Sequence, residues 1–168
     1  MVLRDARREE LDAIAALIRA AYEEYKRFYL PEVWQRYITN VGNIHDRFGE
    51  CDLIVAERGG VIAGTVSFYA DGSRSRQGEW RPGWAGILRL AVPPEQRGAG
   101  LGRALIEECL GRCRARGIAS VALHTTDWMS TARAMYERMG FVRVPDFDFH
   151  PRPGVVGMGY RLDLTARQ

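Results

Sequence analysis

Lysine is almost missing from this chain. Lys26 is the single one in 168 residues, and the other basic residues among the 24 are arginines. Against 21 acidic residues the formal charge is only +3. A nucleic-acid partner calls for a concentrated basic stripe, so none is expected. Cysteine is also scarce. Cys51, Cys109 and Cys113 are an odd set, and the opening stretch "MVLRDARREELDA" has no apolar segment of leader length. Reduced thiols in a cytoplasm fit that pattern better than disulfides. No histidine or cysteine stands at metal-site spacing from Cys109 and Cys113, so they read as packing residues and no metal is expected. Nor does any apolar run approach the roughly 20 residues of a membrane-spanning helix, so no membrane partner is expected.

What is present suits one globular domain over residues 1–168. Hydrophobic residues make up 46% and charged residues 27%, ordinary values for a packed core. Val2 to Ala6 reads as a strand. Leu11, Ile14, Leu17, Ile18, Ala21, Tyr22 and Tyr25 follow a helical period, predicting a helix from about Arg8 to Lys26. A second helix starts at Pro31, where a missing N–H costs nothing. "DLIVAERGGVIAGTVSFYA" predicts a hairpin turning at Gly59-Gly60. Asp71 to Gly83 is a long polar loop, and Trp84 to Val92 a strand. Gly100 to Arg116 is a helix stopped by Gly117. "SVALHTT" is a strand, and "STARAMYERMG" a helix with Ser130 as N-cap. "FVRVPDFDF" and "VVGMGYRLDL" are two closing strands. The order β-α-α-β-β-β-α-β-α-β-β describes an α/β fold with a mixed sheet.

The most informative stretch is "LRLAVPPEQRGAGLGRALIEEC", Leu88 to Cys109. It lacks the Lys-Ser/Thr of a phosphate-cleaving P-loop, since Gly102 is followed by Arg103. It also lacks the third glycine of a dinucleotide fingerprint. What it has is Gly98, Gly100 and Gly102 in front of a helix, leaving backbone N–H groups at a positive helix end where a pyrophosphate is held without being broken. The reaction then belongs at the other end of that ligand.

Arg97-Gly98-Ala99-Gly100-Leu101-Gly102 resembles the Arg/Gln-x-x-Gly-x-Gly/Ala signature of the GCN5-related N-acetyltransferases (GNAT), and "ARAMYERMGF" resembles their second signature, a helical tyrosine followed by Gly-Phe. The element order is similar over almost the whole chain. The resemblance implies the acyl-CoA N-acyltransferase fold: a mostly antiparallel sheet splayed between its fourth and fifth strands, with helices on both faces. It implies transfer of an acetyl group from acetyl-CoA to an amine of a small molecule or a peptide. It places the coenzyme against Arg97, Gly98, Ala99, Gly100, Leu101, Gly102 and Arg103, and its pantetheine arm along Leu90, Ala91 and Val92 as an added strand. The N–H near Leu90 is the expected oxyanion donor, and Tyr136 the expected proton donor to the leaving thiolate. A homodimer is a further expectation from the resemblance.

Two positions depart from that pattern. Relatives often carry a basic glutamate on the fourth strand where this chain has Gly86. His124, Glu79, Asp71 or a water relay are the replacements considered, and an acceptor amine of low pKa needs no base. Relatives often carry a coenzyme-binding asparagine where this chain has Met129, and Ser130 is the nearest substitute. Tyr25, Phe28, Tyr29, Trp34, Tyr37, Trp80, Trp84 and Trp128 are candidate acceptor-lining aromatics, and Asp146, Asp148 and His150 candidate cation attractors. Two alternatives remain: an acyl-CoA binding module without catalysis, and a transferase of longer acyl groups.

Overall fold

The computed structural model describes residues 1–77 and 80–164. The chain forms two compact units, Met1–Phe68 with Arg89–Glu108, and Tyr69–Leu88 with Cys109–Gln168. Both are α/β, and the strand pairing is mixed.

In the first unit, β1 (Val2–Asp5) lies antiparallel to β2 (Asp52–Arg58), with Val2 opposite Glu57 and Asp5 opposite Ile54. β2 returns as β3 (Val61–Tyr69) through Gly59 and Gly60. Their φ values of +59° and +78° are those a two-residue primed turn requires. Helix α1 (Leu11–Tyr22) buries Leu11, Ile14, Ala15, Ile18 and Ala21. They join Leu53 and Val55 of β2 in one apolar core that also takes in Ala91. Helix α2 (Pro31–Gly42) begins with its proline at the first turn and buries Trp34, Ile38 and Val41. The expected first helix is longer than α1, because 3-10 segments flank it at Arg8–Glu10 and Glu23–Phe28.

In the second unit, the start of β4 (Ala85–Ala91) pairs parallel with β5 (Ser120–Thr125), at Ala85, Gly86 and Ile87 opposite Val121, Ala122 and Leu123. β5 pairs antiparallel with β8 (Val155–Asp163) from Ser120–Asp163 to Thr125–Met158. Helix α3 (Leu101–Ala115), whose residues up to Glu108 belong to the first unit, ends before Gly117, at φ +67°, and carries Cys109 and Cys113 fully buried and outside any disulfide. Helix α4 (Ser130–Arg138) follows β5.

Two expectations are corrected here. Ser130 is not an N-cap: it is the first residue of α4, Met129 precedes it with φ −85° and ψ 49°, and no side chain caps the end. The stretch expected as one strand after α4 is broken. β6 (Val142–Arg143) and β7 (Phe149–Arg152) are separated by a 3-10 turn at Pro145–Phe147. Proline brings a fixed φ and no N–H for the ladder. Both strands still pair antiparallel with β8.

No helix among the described residues is long and apolar enough to cross a membrane.

Candidate active site

The glycine turn leaves β4 through Val92, Pro93 and a 3-10 turn at Pro94–Gln96, and enters α3 at Leu101. Gly98 and Gly100 hold φ of +85° and +74°. A Cβ built on either meets nothing within 4 Å. Their glycines therefore answer a backbone conformation, not a steric squeeze, and they face open space. Ala104 makes the first helical bond, to the Gly100 carbonyl at 3.0 Å. The N–H groups of Leu101, Gly102 and Arg103 precede it and have no acceptor within the helix. Backbone donors and the helix dipole converge there, which suits an anion.

Arg97 is engaged with neighbours inside the fold. Its Nε donates to the Val92 carbonyl at 2.9 Å, Nη1 and Nη2 to the two Glu24 oxygens at 3.0 and 2.8 Å, and Nη2 also to the Ala21 carbonyl at 3.4 Å. Glu24 is held below its ordinary pKa by this arginine, chiefly through those hydrogen bonds. Arg97 thus ties the turn to the end of α1. Arg103 is exposed and pairs with Glu107, one helical turn on, at 2.8 Å.

Upstream, Arg89 sits in β4 with φ +52°, a left-handed conformation uncommon for a residue with a side chain. Beside it, the Tyr22 hydroxyl donates to the Leu90 carbonyl at 3.2 Å, orienting the stretch expected to carry the oxyanion donor. Loss of water raises the Tyr22 phenol above its ordinary value, so it stays a donor. Tyr22 packs edge-on against Tyr25 at 5.7 Å, and Tyr29 stacks on Tyr37 at 4.7 Å. Trp34 is 2% exposed and is a core residue. Ala91 is buried, and Leu90 half-buried.

In the second unit, Tyr136 is buried on α4, its ring edge-on to Phe141 at 5.8 Å. The Phe141 N–H donates to the Tyr136 carbonyl at 3.0 Å, and Gly140 between them takes φ +96°. The Tyr-Gly-Phe spacing of the second signature is therefore a helix C-terminus folded onto its own tyrosine.

His124, on β5 opposite Gly159, stacks on Trp80 at 4.2 Å and meets Phe149 edge-on at 4.5 Å. Its Nε2 lies 2.8 Å from the Phe147 carbonyl, so that nitrogen carries the proton and Nδ1 is the acceptor. Burial depresses its pKa to about 4. Trp80 is enclosed in this cluster at 5% exposure. Glu79 lies outside the described residues. Asp71 is engaged locally, accepting from the Ser73 N–H at 3.1 Å and the Ser73 hydroxyl at 2.6 Å. Asp148 is taken up by Arg143, at 2.6 and 2.8 Å, and by the Gly159 N–H at 2.8 Å. It is not a free cation attractor.

The glycine at position 86 has a structural reason. A Cβ there would lie 2.9 Å from the Gly72 Cα, too close for any side chain. The polar loop packs its backbone on the strand at this point, with the Gly72 N–H donating to the Trp84 carbonyl at 2.6 Å. No group of three metal-ligating side chains occurs among the described residues. Tyr22, Glu24 and Arg89 escape a reading of the sequence. Only Arg89 leaves a trace in it, as a charge inside an apolar run.

Comparison with known proteins agrees with the architecture. Mycothiol acetyltransferase of Thermobispora bispora is 34% identical over 100 residues, 57% of this chain and 32% of that protein, so the chain spans about a third of this relative. An uncharacterized N-acetyltransferase of Schizosaccharomyces pombe is 26% identical over 160 residues, 94% of this chain and 90% of its own length. The crystal structure of the PaiA N-acetyltransferase from Thermoplasma acidophilum, in complex with coenzyme A, shares the fold at a TM-score of 0.74. It is 16% identical over 96% of this chain and 98% of that one. The acetyltransferase (GNAT) family itself matches from residue 12 to residue 141, a span that holds both the glycine turn and Tyr136. On that match, this chain belongs to the GNAT family of acetyltransferases.

Proposed function

We propose that the protein moves the acetyl group of acetyl-CoA to an amine by direct attack, as one acetyltransferase domain over residues 1–168 working in the cytoplasm. The observation that carries the reading is the turn at Gly98 and Gly100: two left-handed residues over open space, leading to N–H groups that precede the first bond of a fifteen-residue helix. The diphosphate of the co-substrate is assigned to the backbone of Gly98 to Arg103, and its pantetheine arm to the edge formed by Leu90, Ala91 and Val92.

The amine nitrogen attacks the thioester carbon, and the carbonyl oxygen becomes an oxyanion that accepts from a backbone N–H at Leu90. The C–S bond breaks, and Tyr136 protonates the thiolate. The ammonium proton has to leave as well. Freeing an amine of pKa near 10.4 at pH 7 costs about 4.6 kcal/mol. His124 is the base proposed among the described residues. It is neutral at any physiological pH, given its pKa of about 4. A base that weak takes the proton only after the attack, when the nitrogen has become acidic, so the amine enters as its unprotonated fraction.

The test has two stages. Acetyl-CoA at a hundred times its Kd stabilises the protein by about 2.7 kcal/mol in thermal unfolding, whereas ATP and NAD leave it unchanged. Thiol release with a panel of amines then reports transfer, and Tyr136→Phe lowers kcat about 100-fold with little change in acetyl-CoA affinity. Stabilisation by ATP or NAD in place of acetyl-CoA overturns the reading. Tight acetyl-CoA binding without transfer to any amine points to the binding module.

A further inference from the structure

Several arginines among the described residues are paired with carboxylates. Arg4 meets Glu10 at 2.7 Å and Glu57 at 2.8 Å, Arg97 meets Glu24 at 2.8 Å, and Arg143 meets Asp148 at 2.6 Å. Arg89 has no such partner. Its Nε and Nη1 are shut away from solvent and make no hydrogen bond. A guanidinium is always charged, and enclosing it without a counter-charge is costly. Its backbone is also held at φ +52°, so this residue is kept in a conformation and an environment that both work against it. The neighbouring carbonyl, Leu90, accepts from the Tyr22 hydroxyl.

We infer that Arg89 receives the carboxylate of the acceptor, and that the acceptors are small amines bearing a carboxylate. The assignment rests on the acetyl-transfer reading above. The diphosphate is assigned above to backbone donors beyond the Pro94–Gln96 turn, so on that reading it does not supply the counter-charge. The counter-charge belongs to the molecule that meets the acyl group, because Arg89 directly precedes Leu90, the proposed thioester contact. Arginine suits a carboxylate through its planar set of donors.

The test compares amines that differ only in the anion: an amino acid and its amide, for several side chains. The amide has the less basic nitrogen, so intrinsic reactivity favours it. The wild type is expected to prefer the carboxylate roughly 30-fold or more in kcat/KM. Arg89→Gln erases that preference, and Arg89→Lys keeps part of it. The acetyl-CoA Kd, measured by calorimetry, is unchanged in both. Arg89→Met raises the melting temperature, because it removes a half-buried charge that has no partner; an arginine present only for structure would give the opposite sign. Equal use of acid and amide by the wild type overturns the inference, as does a preference that survives Arg89→Gln. Should no amine be acetylated although acetyl-CoA binds, the carboxylate member of each pair must still raise the melting temperature of the acetyl-CoA-loaded wild type and not of Arg89→Gln; failure there also overturns it. Absence of acetyl-CoA binding sinks the parent reading first, and is distinguishable from all of these.

Discussion

Arg89 and Arg97 stand eight positions apart on one stretch of chain, and the fold treats them in opposite ways. Arg97 spends Nε, Nη1 and Nη2 on Val92, Glu24 and Ala21, while Nε and Nη1 of Arg89 have no partner. The first is the arginine of the family signature, so sequence alone singles it out as the cation near the coenzyme. The structure makes it a tie between the turn and α1. The unnoticed second arginine is the one left incomplete. Charges that complete themselves inside the protein serve stability, and a charge left open is waiting for something from outside.

His124 belongs with the completed groups, and gives the largest effect by which the comparison can be broken. Its folded pKa lies at about 4 because of burial, below the ordinary 6.5. The unfolded chain therefore binds a proton more readily between these values. The resulting stability is fully present above pH 6.5 and is lost as pH falls toward 4, by an amount of order 3 kcal/mol. Urea denaturation from pH 7 to pH 4 is expected to show a steeper loss for the wild type than for His124→Gln. Parallel curves would mean that this histidine is solvated and free to titrate.

The glycine turn comes next. Alanine at Gly98 or Gly100 costs about 1–2 kcal/mol through the left-handed backbone alone, since nothing crowds its Cβ. A loss of acetyl-CoA affinity accompanies it. Asparagine, which tolerates that conformation, recovers part of both. Equal losses for alanine and asparagine would instead point to ligand contact at the side-chain position.

The smallest effect sharpens the contrast most directly. Arg97 and Glu24 are each more than a third exposed, so a double-mutant cycle on Arg97→Gln and Glu24→Gln should give a coupling of only about 0.2–1 kcal/mol. Acetyl-CoA affinity should follow stability and nothing more. A large affinity loss confined to Arg97→Gln would restore it as a phosphate ligand.

Much of this was legible in the sequence because it is local. Gly59-Gly60, Pro31 and Gly117 act on their own backbone, and each is found doing so. The Gly98–Gly102 turn was readable as a helix entrance for the same reason, and Tyr136 through its fixed distance to Gly140-Phe141. What stayed hidden is non-local. Glu24 meets Arg97 across 73 positions. Tyr22 meets Leu90 across 68. A positive φ at an arginine has no compositional sign. The strand after α4 was overextended because alternation in "FVRVPDFDF" outweighed a single proline, and Ser130 was given a cap that its residue type favours but its backbone does not adopt.

The contact between Gly72 and Gly86 limits how this protein can change. Each glycine forbids a side chain on the other, so a carboxylate cannot be regained on that strand by one replacement; the loop would first have to lift away. Without that carboxylate, the nitrogen nucleophile has to enter as its unprotonated fraction.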